Sequence, residues 1–99
     1  MKPKKKLFLY RVSQPADNVW YDTYDSFVCA QPDAEAARDT DPSAPQPDAR
    51  VDWVQAVDPF KWHLFLAWCR RREDVTVHLL GRADPDVEPG VICASFNAG

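Results

Sequence analysis

Glycine is scarce in this sequence, with three in 99 residues, at positions 81, 90 and 99. That excludes a Gly-rich phosphate cradle, which needs several glycines within one turn so that backbone N–H groups can converge on the anion. Histidine is scarcer still. His63 and His78 are the two imidazoles, and with no His-x-x-x-His and no Cys-x-x-Cys the clustered ligands of a zinc site are missing. The three cysteines, Cys29, Cys69 and Cys93, are odd in number and far apart, each within an apolar run. They read as reduced thiols packed as small hydrophobes in a cytoplasmic protein. No stretch approaches the ~20 apolar residues of a membrane span. The opening MKPKKKLFLYRV has a basic start, but Arg11 interrupts its apolar run and no small-residue cleavage site follows, so a signal peptide is not expected.

What is present suffices for one core. Hydrophobic residues make up 45% and aromatics 12%, above the range of disordered chains, and a chain of this length is expected to form a single domain over residues 1–99. The net charge of -3 conceals a polarised distribution. Between Ser13 and Phe60 ten acids face two bases, Arg38 and Arg50, while seven of the other ten bases gather in a tail at Lys2–Lys6 and in the triplet Arg70–Arg72. An acidic middle does not suit phosphate neutralisation along nucleic acid. It suits contact with a basic partner surface or simple solvation.

The hydrophobic pattern predicts a fold. Leu7–Val12 alternates as a strand, with Phe8, Tyr10 and Val12 on one face; Ser26–Ala30 is apolar on both faces and reads as a central strand. Gln31–Asp39 reads as a short helix with Asp33 at its N-cap. The stretch TDPSAPQPDAR, residues 40–50, is expected to be an exposed loop or linker, more mobile than ordered. Asp58-Pro59 looks like a helix opening, and the pattern predicts a Trp-rich helix over residues 58–72 that ends on its arginines. That helix is apolar nearly all round: Phe60, Leu64 and Trp68 on one side, Trp62, Leu66 and Cys69 opposite. Its surplus face is expected either to meet a partner or a second subunit, as in a homodimer through this helix, or to be covered by the loop holding Trp53. Val75–Leu80 and Val91–Phe96 complete the strands. The expected architecture is α+β, a small two-layer sandwich of about four mostly antiparallel strands and two helices in the order ββα-loop-αββ.

No catalytic residue is assigned. Asp22 and Asp25 are too close in sequence to face each other across a substrate as a glycosidase pair does, and Cys29 with His78, the one conceivable thiolate pair, sits mid-strand in apolar runs. No metal and no cofactor are expected. Recognition remains. YDTYDS, residues 21–26, packs two phenols and two carboxylates into six residues, which is suitable material for a binding edge; its acids could equally make Asx-turns that steer the chain into the strand. The candidate binding residues are Tyr21, Asp22, Tyr24, Asp25 and Ser26, with Trp62 and Trp68 on the helix and Ser95 and Asn97 near the end.

YDTYDSFVCA with the Ala-rich segment Ala34–Arg38, then VHLLGRA and the ending EPGVICASFNAG, resembles a group of small phage- and prophage-encoded proteins of unknown function, in which a Tyr-Asp-x-Tyr-Asp-Ser turn and a Ser-Phe-Asn-Ala-Gly ending recur. The resemblance covers Leu7–Arg38 and Val75–Gly99; the Trp-rich segment is an enlargement of a region expected to be shorter. It implies a viral accessory protein in the host cell cytoplasm that inhibits a host defence protein or complex by contact, of anti-CRISPR or other anti-defence type. The alternative is a sponge for a small nucleotide ligand held between Tyr21, Tyr24 and the SFNAG ending. A nucleic-acid binder, through Lys2–Lys6 and the arginine triplet, and a minor hydrolase come after these.

Overall fold

The computed structural model describes residues 6–16, 23–56 and 68–97. Four strands, β1 (Phe8–Ser13), β2 (Thr23–Gln31), β3 (Thr76–Arg82) and β4 (Gly90–Asn97), form one antiparallel sheet in the order β3-β1-β2-β4. Between β2 and β3 lie α1 (Ala34–Arg38), α2 (Trp53–Ala56) and a 3-10 turn at Arg72–Asp74. The fold is α+β with the expected order of elements, and β2 is central as its two apolar faces required.

Alternation in β1 and β2 sets the inner face of the sheet. Tyr10 pairs with Cys29 and Val12 with Phe27, and these four, all buried, form the core with Ala37, Val51, Ala56, Trp68, Cys69 and Val75. α1 packs across β1, β2 and β3 on that side. Its start is fixed as the sequence indicated: the Asp33 carboxylate accepts from the Ala36 N–H at 2.8 Å, satisfying a donor that a helix leaves without an internal partner. The outer face is mixed, with polar residues in two of its rows. Directly opposed residues share a face, so Arg11, His78 and Cys93 lie in one row with Val28. Ser13, Thr76, Ser26 and Ser95 form the next.

Three expectations need correction. Residues 58–67 of the anticipated Trp-rich helix lie outside the described residues, but Trp68–Arg71 near its end is not helical. Arg72 instead reaches across to α1, where Nε donates to Asp39 Oδ1 at 2.7 Å and the guanidinium also pairs with Glu35, while Arg38 donates to the Val75 carbonyl. Long-range partners outcompeted the local role.

The loop at residues 40–50 is anchored. Thr40 and Arg50 form an antiparallel bridge, the Asp41 N–H bonds to Ala49 O at 2.9 Å, and Val51 N–H to Asp39 O at 2.7 Å. Prolines shape it without freeing it. Finally, Cys93 is exposed, unlike the buried Cys29 and Cys69, because it falls on the outer face of an edge strand.

Candidate functional site

The topology places YDTYDS beside the end of the chain. Thr23 pairs with Asn97, Tyr24 with Phe96 and Ser26 with Ser95, so two sequence stretches singled out separately become neighbours on β2 and β4, with Ser26 and Ser95 on the outer face and Tyr24 packed against the core on the inner one. Tyr24 and Phe96 pack as tilted rings with centroids 4.8 Å apart, a favourable edge-to-face type arrangement. Asp25 is the extra residue of a β-bulge between Tyr24 and Ser26, which corrects the Asx-turn reading: from Thr23 onward this stretch is already strand. Gln14 braces the bulge, its Nε2 donating to Tyr24 O at 2.5 Å and its N–H to Asp25 O at 3.4 Å. Asp25 Oδ1 is buried without a hydrogen-bond partner. Such an acceptor is a standing cost to the fold.

β4 is an outer strand of the sheet. It holds no charged residue, and Ile92, Cys93, Ala94, Ser95 and Phe96 are all exposed, with Ile92 50% and Phe96 47% accessible. Its first third is guarded. A bulge falls at Ile92, and the Val91 N–H is taken by Pro47 O at 2.7 Å. A Cβ at Gly90 would fall on the Pro47 carbonyl, and φ there is +123°, so only glycine permits this approach. From Cys93 to Asn97 the outer edge meets no other strand among the described residues.

The other residues singled out fall elsewhere. Tyr21, Asp22 and Trp62 lie outside the described residues, and with Trp62 the helix surface through which a homodimer was envisaged. Trp68 is in the core, 3% exposed, with its ring 5.2 Å from that of Phe27. It therefore supports packing, not a contact surface. Cys29 and His78 sit on opposite sheet faces, since they pair with the adjacent β1 residues Tyr10 and Arg11 and adjacent strand residues point oppositely. Burial pushes the Cys29 thiol up to about 11, only partly opposed by the Thr40 hydroxyl and Arg50. It is no thiolate near neutral pH. Among the described residues no three His, Cys, Asp or Glu side chains gather as metal ligands, and no helix is long and apolar enough to cross a membrane.

Sequence reasoning missed a second feature. At one end of the sheet a cleft of about 310 Å³ opens between the loop of residues 41–49 and the β3–β4 connection, lined in part by Gln31, Asp48 and Arg50. Beneath it lies a hydrogen-bonded cluster: Gln31 Nε2 donates to Asp48 Oδ1 at 2.7 Å and to Thr40 Oγ1 at 3.1 Å, and Thr40 Oγ1 donates to Ala36 O at 2.8 Å. The only trace in the sequence was that both loops are rich in proline and acid.

The fold and these surfaces define a small α+β domain whose strand β4 is left without an edge partner from Cys93 on among the described residues. Comparison with family models, with curated proteins and with solved structures finds no match.

Proposed function

We propose that this is a non-enzymatic binding protein that grips a protein partner along the outer edge of β4, and that the partner is a host defence factor which it inhibits by contact. One observation carries the reading: among the described residues β4 presents an uncharged, exposed edge from Cys93 to Phe96 with the Tyr24–Phe96 ring pair beside it. Proteins normally blunt such edges with charge or proline. Left open, the edge can add a partner strand through its backbone groups, while the rings offer an aromatic anchor. The defence assignment rests on the resemblance to phage-encoded proteins.

The alternatives draw less support. The sponge site envisaged between Tyr21, Tyr24 and the SFNAG ending lies partly outside the described residues, an anionic nucleotide in the cleft instead would find three carboxylates and one base lining it, and a thiol hydrolase would need groups that lie on opposite faces of the sheet.

The test compares the wild-type chain with Cys93→Lys/Ser95→Lys, which places two charges on the open part of β4. Candidate defence complexes are purified and binding is measured by calorimetry alongside inhibition of their activity. Wild type is expected to bind and inhibit one of them, and the variant to lose at least about tenfold in affinity with an unchanged unfolding midpoint. Equal binding by the variant, or a wild-type chain that copurifies with a nucleotide and binds no defence protein, overturns the reading.

A further inference from the structure

The cleft lies apart from the β4 contact, and it is a built feature. Its volume of about 310 Å³ matches the lower end of small-molecule sites, which span roughly 300–1,000 Å³. Leu7, Val87 and three prolines give it apolar walls. Both loops that form it are tied down. Ala83 N–H bonds to Leu7 O at 3.0 Å, Val87 N–H to Asp84 O at 3.0 Å, and the Val91–Pro47 bond joins one loop to the other. A pre-shaped pocket leaves little ordering cost to a ligand.

The charges lining it are one-sided: Asp48, Asp84 and Glu88 against Arg50. Arg50 is already committed. Its Nη1 donates to Ala36 O and Thr40 Oγ1, both at 3.1 Å, its Nη2 donates to Gln31 Oε1 at 3.2 Å, and Asp48 neutralises it at 3.3 Å. Asp48 and Asp84 retain capacity. Asp48 Oδ1 accepts from Gln31, and Asp84 Oδ1 accepts from the Asp86 N–H at 2.9 Å, yet a carboxylate offers two oxygens and about four acceptor positions.

We propose that this cleft binds a small organic cation, a guanidinium or primary amine on an apolar alkyl body. The body lies against Leu7, Val87 and the prolines, and the head sits among Asp48, Asp84 and Glu88. An anionic ligand, nucleotide phosphate included, meets excess negative charge and an arginine already engaged.

Agmatine is the probe, titrated into the full chain and followed by amide NMR and calorimetry. Saturable binding is expected, with shifts centred on Leu7, Val87 and residues 48–50, and weakening as salt is raised. Asp84→Asn/Glu88→Gln is expected to lose about tenfold or more in affinity. Its fold should hold, because asparagine can accept the same Asp86 N–H, and an unchanged unfolding midpoint checks this. AMP is expected not to bind. The proposal is overturned by the absence of saturable shifts with millimolar agmatine, by equal affinity in a folded double variant, or by AMP binding more tightly. An arginine-containing peptide that binds where free agmatine does not also overturns it. None of these outcomes bears on the β4 edge, so the two readings stand or fall separately.

Discussion

The sheet has two edges, and they are built differently. β3 and β4 both expose large apolar side chains to a similar extent: Leu79 at 56% and Leu80 at 50% on one, Ile92 at 50% and Phe96 at 47% on the other. Apolar exposure therefore does not distinguish them. What differs is defence. β3 carries His78 and Arg82 and is interrupted by a bulge at Leu80, two of the devices that keep edges from pairing. β4 has its bulge and its backbone guard only at the start, and no charge anywhere. The difference marks β4 as the edge left available.

The contrast can be broken or sharpened in steps. Phe27→Ala removes the ring between Val12 and Trp68 in the shared core and is expected to cost about 3–5 kcal/mol, read by urea unfolding. Both edges should fail together; loss confined to β4 would show that the sheet is not one cooperative unit.

High pH attacks the same centre. Cys29 ionises near 11 in the folded chain because burial raises it, and burial likewise raises its cross-strand partner Tyr10. Below the ordinary thiol range both states keep the proton, so no stability is lost there. As pH climbs from about 9 toward 11 the unfolded chain ionises first, and stability should fall by at most about 3 kcal/mol from Cys29. Urea unfolding midpoints across that window check this. Cys29→Ala should flatten the slope, and an unflattened slope would assign it to other groups.

Gly90→Ala acts on one edge only. The added methyl meets the Pro47 carbonyl at a φ unfavourable to alanine, at an expected cost of about 1–3 kcal/mol. Hydrogen exchange should then rise at Val91 while the β3 amides stay protected. Smallest in stability is the charge swap. Cys93→Lys/Ser95→Lys on β4 and Leu79→Lys/Leu80→Lys on β3 should each change stability by about 0.5 kcal/mol or less, yet only the β4 pair should abolish partner binding. If the β3 pair does so instead, the wrong edge has been chosen.

The strands and α1 were legible in the sequence because they obey local rules. Alternation at Phe8, Tyr10 and Val12 gave the inner face of β1, the apolar run at Phe27–Ala30 gave a central strand, and Asp33 marked the start of the helix. Arg72 was misread for the converse reason. A base at the end of an apolar run looks like a dipole cap, and nothing local announces that Glu35 and Asp39 lie within its reach. The pairing of Tyr24 with Phe96 and of Ser26 with Ser95 was half legible: both stretches stood out, but their adjacency depends on β4 joining β2 rather than β3. The cleft was illegible. Its walls come from loops far apart in the chain, and Gln31, which anchors its polar floor, is an unremarkable glutamine at a strand end.

The register of β4 also dictates when it can form. Ala30 must wait for Gly90, and Thr23 for Asn97, so the entropy of closing a long intervening chain is lost before the pairing gives anything back. α1 and α2 are too short to nucleate the fold alone. Folding should accordingly fall in the slow, non-local regime of milliseconds to seconds. The β1–β2 hairpin can assemble early from neighbouring sequence, whereas the strand that carries the binding edge arrives late. Until it does, β2 is itself an open edge with Phe27 beside it. The molecule should thus pass through an interval in which its most buried strand, not its intended one, is exposed to whatever strand it meets first.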